Sequence, residues 1–376
     1  MTTTTFRILA LPGDHVGPEV MGEALKVLDA IEELRPTLKF ERTCDLTGGS
    51  SIDKHGVPIT EDVLEKAVHS DAVLFGSVGG PEWAHASPGP ETGLLLLRKR
   101  LNAFANLRPC EILVPSLIDA SPIKADIARG TKFIVVRENC GGAYFGEKVE
   151  ADDVASDFWV YTPSEVQHLG RVNANVARIL GRDGDNKGGG GPAIVRSADK
   201  ANVLASGRLW RRVTQQLFDD EFPDVELRHQ LADSMAMLMV KNPRGFNGVI
   251  HTDNTFGDIL SDISGGIVDS LGTLPSASIS GIPGEGDATA STNRAPDIAG
   301  KGVVNPAAQI LSLAMLLRYS CLLLEEASAI EQAVARVFDS KDSGGLEVRS
   351  KDVGGDAGTT RVGDFICEVL KNILSA

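Results

Sequence analysis

Two aspartates four positions apart are the first feature of this sequence that could do chemistry. Asp258 and Asp262 stand in a segment that we predict to be helical. Residues i and i+4 share one face of a helix, so the two carboxylates should point the same way. With a third carboxylate, for which Asp233 is the candidate, they would form an oxygen-rich site suited to Mg²⁺ or Mn²⁺. Surface acids in an acidic protein are the alternative explanation.

Three arginines could bind the carboxylates of a small acid. Arg98 and Arg108 stand ten residues apart around a very apolar helical turn, and Arg137 ends a predicted strand. A guanidinium binds a carboxylate through two parallel hydrogen bonds, and a dicarboxylic acid requires more than one such group. The alternative for Arg98 and Arg108 is a pair of solvated charges beside a core helix.

Two further residues stand where sites are often built in α/β proteins. Tyr144 follows the glycines after Arg137, and Lys200 lies at a predicted strand-to-helix junction. Polar residues at strand ends line the sites of such folds. Tyr144 could equally be an ordinary aromatic residue of a hairpin.

The elements that must position these residues alternate between strand and helix. Short apolar runs such as 7–11, 72–75 and 132–136 predict buried strands, and amphipathic stretches between them predict helices, which favours an α/β fold with a mostly parallel sheet. We also predict an added strand over 157–161, a surface loop over 181–192 and one helix over 307–326. The GxGxxG fingerprint of the usual dinucleotide fold is absent, so a nicotinamide cofactor would bind by another route.

Length and composition exclude several classes of function and partner. A chain of 376 residues suggests about two domains, and its net charge of −14 argues against nucleic acid or an anionic membrane as partner. An anionic substrate therefore needs arginine and lysine concentrated locally. The five cysteines are scattered, which is typical of reduced thiols. Without a run of about 18 apolar residues or a recognisable leader, we expect a cytoplasmic enzyme without a membrane partner.

Taken together, these segments resemble the isocitrate/isopropylmalate dehydrogenase family, from Arg7 to the C-terminal helices. The resemblance implies a two-domain fold with a large mixed, mostly parallel sheet. Residues 1–103 plus 269–376 would form a cofactor-binding domain, and 104–268 a substrate, metal and dimerisation domain. It also implies roles: carboxylate binding for Arg98, Arg108 and Arg137; acid–base catalysis for Tyr144 and Lys200; metal ligation for Asp233, Asp258 and Asp262.

The resemblance also indicates a homodimer with shared sites, in which Lys200 and Asp233 reach in from the partner subunit. The residues before Arg98 read the substituent on C3 of the substrate. Here they are Leu94 and Leu95, with Val203 completing the pocket. An unpaired carboxylate against three aliphatic side chains would be costly, so a branched alkyl group is favoured over the carboxylate of isocitrate.

The expected reaction is therefore the NAD-dependent oxidative decarboxylation of (2R,3S)-3-isopropylmalate to 4-methyl-2-oxopentanoate and CO₂, in leucine biosynthesis. Two alternatives stay open. The chain could be a paralogue that acts on another 3-substituted malate, such as a benzylmalate-like acid, in a secondary pathway. It could also be a dimeric binding protein that has lost turnover.

The expected cofactor is NAD, by resemblance of 295–306 to the family's adenosine loop. Glu91, Asp297, Ile298 and Asn305 are the cofactor-binding candidates. A carboxylate at Asp297 accepts from ribose hydroxyls and repels a 2′-phosphate. The segment 286–294 departs from the family pattern: it is short, and Thr292 and Asn293 replace its usual His-Gly. His15 also replaces a usual glycine.

Overall fold

The computed structural model of the protein describes residues 3–185, 193–268, 273–281, 288–291 and 299–376. Within these ranges the strands are β1 Thr4–Gly13, β2 Leu38–Cys44, β3 Ala72–Ser77, β4 Ala105–Glu111, β5 Lys132–Glu138, β6 Lys148–Glu150, β7 Ala155–Asp157, β8 Ile194–Asp199, β9 Glu226–Leu231, β10 Gly248–Thr252, β11 Ser276–Ile279 and β12 Ala288–Ser291.

The helices cover the sheet. They are α1 Gly17–Leu34, α2 Gly49–His55, α3 Glu61–Val68, α4 Glu91–Arg100, α5 Ala125–Ala128, α6 Pro163–Asp185, α7 Ala205–Glu221, α8 Ala232–Lys241, α9 Asn254–Val268, α10 Ala307–Tyr319, α11 Leu324–Phe338 and α12 Thr359–Ser375. Short 3₁₀ turns connect several of them.

Ten of these strands form one mixed sheet in the order β2-β1-β3-β12-β11-β4-β5-β10-β8-β9. The strands pair in parallel on both flanks, from β2 to β12 and from β5 to β9. They pair antiparallel in the centre, from β12 to β5. The prediction of an α/β fold with a large mixed, mostly parallel sheet is confirmed.

The inner strands of the parallel flanks are buried on both faces, as their continuous apolar runs require. Every residue of β3 is buried, and the middle of β1, from Ile8 to Leu11, is at most 1% exposed. One hydrophobic cluster packs α1, α10, α11 and α12 on the flank that contains β1 and β3. Two others pack α6 to α9 around β5, β8 and β10. The first cluster therefore draws its residues from both ends of the chain.

Three element predictions are wrong. The strand expected over 157–161 ends at Asp157, because the next residues bond to the loop after β5: Phe158 N–H donates to Glu147 O and Gly142 N–H to Val160 O. The first residues of the loop expected over 181–192 are helical, since α6 continues through Gly181 and Gly184 to Asp185; residues 186–192 lie outside the described part. The helix expected over 307–326 is two helices, since Leu322 adopts a left-handed backbone with φ 55° between α10 and α11.

Candidate active site

The candidate active site lies where β5 and β10 end. The two strands are parallel neighbours, with Thr252 beside Arg137, so the residues after both strands emerge at the same edge. Arg137 is the penultimate residue of β5, and α9 starts two residues after β10. This topology brings the arginine against the first turns of α9.

Arg137, Asp258 and Tyr144 form one connected group. The Arg137 guanidinium is ion-paired with Asp258 through Nη1, and its Nε donates to Asn254 Oδ1 at 2.8 Å. The Tyr144 hydroxyl donates to Asp258 Oδ2 at 2.9 Å, and the guanidinium carbon lies 5.4 Å from the centre of the tyrosine ring. Gly257 permits the close approach, since a Cβ there would lie 2.7 Å from Arg137 Cγ.

Burial and the hydrogen bond to Asp258 both raise the pKa of Tyr144, so its hydroxyl stays protonated at neutral pH. The Arg137 side chain is only 10% exposed, whereas that of Asp258 is 42% exposed. The group therefore presents a proton donor and an accessible carboxylate above a buried cation.

Arg98 and Arg108 complete a cluster of three guanidiniums. Burial, together with the charges of Arg108 and Arg137, lowers the pKa of Arg98 to about 9. Burial and the charge of Arg137 also lower the pKa of Arg108, whereas the charge of Asp262 opposes this effect. Arg98 stays protonated at pH 7, so three mutually repelling cations are held together.

The cluster is not fully neutralised by the chain itself. Arg108 Nε donates to Asn106 Oδ1 at 3.0 Å, but the buried Nε of Arg98 has no hydrogen-bond partner. A buried donor without a partner is costly, and a carboxylate would satisfy it. The cluster is therefore suited to bind an anion with more than one carboxylate.

Lys200 and Asp233 form a separate pair. Lys200 follows β8, Asp233 is the second residue of α8, and the two make an ion pair of 2.8 Å. The hydrogen bond from Lys200 lowers the pKa of Asp233. Within the described part of one chain, no hydrogen bond or ion pair joins this pair to Asp258, and no group of three acidic, histidine or cysteine side chains could hold a metal ion.

The metal candidates are thus only partly assembled. Asp258 and Asp262 lie one turn apart on α9, as predicted, and Asp262 is exposed. Carboxylate oxygens suit Mg²⁺ or Mn²⁺, but two side chains leave most of the coordination to water or to further ligands. The donor chemistry fits such a cation, provided that a third carboxylate comes from outside this group.

The three aliphatic candidates differ in exposure. Leu94 is partly buried and packs against the core beneath α4, whereas Leu95 is 42% exposed. Val203, in the turn after β8, is 63% exposed, and its backbone N–H bonds to Lys200 O. Leu95 and Val203 are therefore available for contact, and Leu94 mainly supports the helix.

The cofactor candidates are placed unevenly. Glu91 is exposed at the start of α4. Asn305 is buried, and its amide is used locally: Oδ1 accepts from Ala307 N and Nδ2 donates to Asp352. Asp297 and Ile298 lie outside the described residues, as does most of the altered segment 286–294.

Several buried polar residues of the site escaped sequence reasoning. Asn254 bonds to Arg137, and Glu138 accepts from the backbone N–H groups of Cys140 and Gly141. Burial raises the pKa of Glu138 to about 7, and these hydrogen bonds oppose the shift. Both stand beside the motifs already singled out: Glu138 directly after Arg137, and Asn254 four residues before Asp258. That adjacency is the signal that could have found them.

These features describe an α/β protein with an anion-binding cluster and a proton donor at the ends of its parallel strands. The chain matches the model of the isocitrate/isopropylmalate dehydrogenase family over residues 7–366. A 3-isopropylmalate dehydrogenase from Hapsidospora chrysogena is 64% identical over 377 residues, covering 99% of this chain and 98% of that protein. The protein of the same name from Saccharomyces cerevisiae is 47% identical, with coverage of 98% and 99%.

Solved structures agree with this match. An isocitrate dehydrogenase from Methylococcus capsulatus superposes with a TM-score of 0.77 at 26% identity, covering 97% of this chain and 99% of that one. A beta-decarboxylating dehydrogenase from Thermococcus kodakarensis gives 0.73 at 33% identity, covering 98% and 97%. The chain belongs to the isocitrate/isopropylmalate dehydrogenase family, which confirms the resemblance drawn from its motifs. Among the described residues, no helix has the length and apolar character needed to cross a membrane.

Proposed function

We propose that the protein catalyses the NAD-dependent oxidative decarboxylation of (2R,3S)-3-isopropylmalate to 4-methyl-2-oxopentanoate and CO₂, a step of leucine biosynthesis. The observation that carries the proposal is the cluster of three arginines, with its unpartnered Arg98 Nε, beside the linked Tyr144 and Asp258. The names of the similar enzymes from Hapsidospora chrysogena and Saccharomyces cerevisiae support this substrate.

In this proposal Arg98, Arg108 and Arg137 bind the two carboxylates of the substrate. Their mutual repulsion costs free energy while the site is empty, and a bound dianion offsets it. Arg137 is already fixed through Nε and Nη1, so the orientation of its fork is set before the substrate arrives.

Lys200 and Tyr144 are the proposed proton-transfer groups. Lys200 would accept the proton of the C2 hydroxyl as C2 gives up its hydride to the dinucleotide. Tyr144 would donate a proton to C3 after the carboxylate on C3 has left as CO₂. Its raised pKa keeps that proton available at neutral pH. General acid–base steps of this kind contribute about 10²–10⁴-fold in rate each.

Asp258 and Asp262, with Asp233 of a second copy, are the proposed ligands of Mg²⁺ or Mn²⁺. When bound, the cation supplies a Lewis acid that stabilises negative charge on the C2 oxygen. The exposure of Asp233 and Asp262 leaves both carboxylates free to approach another molecule of the protein. Asp233 would exchange its pairing with Lys200 for this role.

A homodimer with shared sites follows from the same proposal. Two adjacent helices carry exposed apolar side chains, Met237 and Val240 on α8 and Ile259 on α9. The hairpin of β6 and β7 continues into Phe158 and Val160, which are at least half exposed. Apolar surface of this kind is typical of an interface, and a twofold dimer would bury the same patch of both copies.

NAD is the proposed cofactor, with Asp297 as the residue that would repel the 2′-phosphate of NADP. Ile298 and Glu91 would contact the dinucleotide, and Asn305 would support the loop through its buried hydrogen bonds. In this assignment residues 1–103 plus 269–376 form the cofactor-binding domain, and 104–268 the substrate, metal and dimerisation domain. We retain the cytoplasm as its expected location.

Formation of NADH by the purified protein tests the proposal. The assay contains Mn²⁺ and compares 3-isopropylmalate, isocitrate and a 3-benzylmalate, with NAD and NADP in parallel. We expect kcat/KM to be highest for 3-isopropylmalate with NAD. EDTA should remove the activity, and added Mn²⁺ should restore it.

Each other result has a definite meaning. A higher kcat/KM for the benzylmalate would favour the secondary-pathway paralogue. Equal rates with isocitrate would contradict the aliphatic pocket of Leu94, Leu95 and Val203. Absence of turnover with every acid, in protein that is folded and metal-loaded, would overturn the proposed function.

A further inference from the structure

Asn254, the first residue of α9, links the substrate-binding arginine to the loop that carries the tyrosine. Its side chain is almost fully buried, with 1% exposure for the residue. Its Oδ1 accepts from Arg137 Nε at 2.8 Å, and its Nδ2 donates to Gly141 O at 3.0 Å. The amide oxygen of Asn254 thus holds the guanidinium, and the amide nitrogen holds the loop.

A second layer fixes Asn254 itself. Its backbone N–H donates to the Tyr161 hydroxyl at 3.0 Å, and that hydroxyl donates to Glu138 Oε2 at 3.3 Å. The Glu138 carboxylate also accepts from the N–H groups of Cys140 and Gly141, at 2.7 and 2.8 Å. The loop is therefore held from both sides, through the N–H and the C=O of Gly141.

We propose that Asn254 is a positioning residue for the reaction, which sets the distance between the Arg137 guanidinium and the Tyr144 hydroxyl. This inference rests on the proposed function for its kinetic test. Arg137 and Tyr144 also meet through Asp258, but that carboxylate is half exposed and is a proposed metal ligand. Asn254 supplies a connection that stays intact when Asp258 changes partners.

Two substitutions separate the roles of the amide. Asn254→Asp keeps an oxygen that can accept from Arg137 Nε, but it removes the donor to Gly141 O. Asn254→Ala removes both bonds. The aspartate variant should therefore lower kcat with little change in KM, whereas the alanine variant should lower kcat and also raise KM. A misplacement of a catalytic group by 1 Å can cost about 100-fold in rate, so we expect a fall in kcat of about 10- to 100-fold.

A double-substitution cycle shows whether Asn254 acts through Tyr144. The ratio of kcat between the unmodified protein and Tyr144→Phe is measured first, and then the same ratio in the Asn254→Asp background. If Asn254 positions Tyr144, the ratio should shrink at least several-fold in that background, because removal of a hydroxyl that is already misplaced lowers kcat less. An unchanged ratio would mean independent effects and would overturn the inference.

Asn173→Ala is the matched control. Asn173 lies on α6 with 0% exposure, and its amide bonds to His251 within the core at 2.6 Å. Asn173→Ala removes one buried amide hydrogen bond outside the site, whereas Asn254→Ala removes two within it. We expect the control to lower the melting temperature but to leave kcat and KM within about twofold. A control that lost as much kcat as Asn254→Ala would assign the effect to stability alone.

Hydrogen exchange gives a readout that does not depend on turnover. The amides of residues 139–146 should exchange at least tenfold faster in Asn254→Asp and Asn254→Ala than in the unmodified protein or the control. If the unmodified protein shows no turnover of 3-isopropylmalate but this loop still loses protection, the proposed function fails and the positioning role stands. Unchanged protection of the loop in both variants would overturn the positioning role, whatever the activity.

Discussion

Tyr144 and Asp258 share a hydrogen bond of 2.9 Å, and the same carboxylate is ion-paired with Arg137. A proton donor and an anion-binding cation therefore meet on one acidic side chain. The Arg137 side chain is buried, whereas the Asp258 side chain stays 42% exposed. This arrangement places Asp258 where it can exchange one partner for another while Arg137 stays fixed by Asn254.

Asp258→Asn should abolish metal-dependent turnover and weaken Mn²⁺ binding, yet leave the protein folded. The amide oxygen can still accept from Arg137 and the amide nitrogen can donate to the Tyr144 hydroxyl, but the side chain carries no negative charge to hold a divalent cation. Mn²⁺ affinity is measured by titration, and folding by circular dichroism and melting temperature. Asp364→Asn is the control, because Asp364 is an exposed acid in a surface ion pair with Lys26. Activity that persists in EDTA would contradict the metal assignment.

Leu95→Ala should change the preference for the C3 substituent at little cost in stability, because Leu95 is already 42% exposed. The substitution removes about three carbon atoms from the pocket wall and so makes room for a larger substituent. Each methylene that a hydrophobic pocket accommodates is worth about 1–3 kcal/mol in kcat/KM, so the kcat/KM ratio of a bulky 3-alkylmalate to 3-isopropylmalate should rise by about tenfold or more. Leu94→Ala should shift the ratio in the same direction and also lower the melting temperature, since Leu94 packs on the core.

Leu96→Ala is the matched control for this pocket. Leu96 has the same exposure of 42%, but as the next residue of α4 it points about 100° away from Leu95 around the helix axis. It should leave the ratio of kcat/KM values unchanged. Equal shifts from Leu95 and Leu96 would mean that the effect comes from the helix and not from a wall of the pocket.

Shared sites predict that two impaired variants restore each other. Chains with Lys200→Ala and chains with Tyr144→Phe are each expected to lose about 100-fold or more in kcat. In a mixed dimer one site receives Tyr144 from the first chain and Lys200 from the second, so it is intact. Random mixing makes half of the dimers mixed, with one intact site in two, so about a quarter of the unmodified activity should return after joint refolding or co-expression. If each site used residues of a single chain, mixing would restore nothing.

How far the sequence predicts this site depends on how local the determinants are. Asp258 and Asp262 share a helix face through a fixed spacing, and Arg137 stands at a strand end; both positions follow from local periodicity. Tyr144 could be placed only near Arg137, because its contact with Asp258 depends on the pairing of β5 with β10. The third metal candidate, Asp233, is paired with Lys200 in this chain.

The parts that escaped prediction are set by tertiary packing. β4 carries Arg108 and Pro109 and does not alternate cleanly, yet it pairs antiparallel with β5 over seven residues and forms the centre of the sheet. The break between α10 and α11 depends on one left-handed leucine, Leu322, and no glycine or proline marks it. Asn254 is ordinary as a residue type, and its role appears only once the strand ends are brought together.

His251 should make the protein less stable in acid. It lies in β10 with 0% exposure, bonds to Asn173 and Thr214, and stacks on Trp210. Burial, with a smaller effect of His229, lowers its pKa to about 3. The folded chain therefore keeps the ring neutral, whereas the unfolded chain binds a proton below pH 6.5. Because the pKa of His251 is lower in the folded chain than in the unfolded chain, its contribution to the free energy of unfolding is lost as the pH falls below the unfolded value.

The size of this effect follows from the unfolded pKa. Between pH 8 and pH 5 the histidine should cost about 2 kcal/mol of unfolding free energy per subunit. His251→Gln keeps a polar side chain but does not titrate, so the stability difference between the two proteins should shrink by that amount over the same range. Denaturant unfolding at matched protein concentration measures it. A difference that stays constant with pH would mean that His251 does not titrate on unfolding.

His15 should be a site where glycine is more stabilising than alanine. Its backbone is left-handed, with φ 54°, in the turn between β1 and α1. Its ring compensates through a 3.2 Å contact with Glu82 and by lying 5.6 Å from the Trp83 ring. Both His15→Gly and His15→Ala remove these contacts, so a comparison of the two isolates the backbone.

Alanine in a left-handed conformation costs about 1–2 kcal/mol, whereas glycine adopts it freely and loses only about 0.4–1 kcal/mol through the entropy of the unfolded chain. His15→Gly should therefore be more stable than His15→Ala by about 0.5–1 kcal/mol. The control is Gly22→Ala in α1, where a Cβ meets nothing within 4 Å and alanine should be the more stable residue by about the same amount. Thermal and denaturant unfolding of the three variants measure both differences. The opposite sign at the two positions is the expected result, and alanine equal to or better than glycine at position 15 would refute the strain.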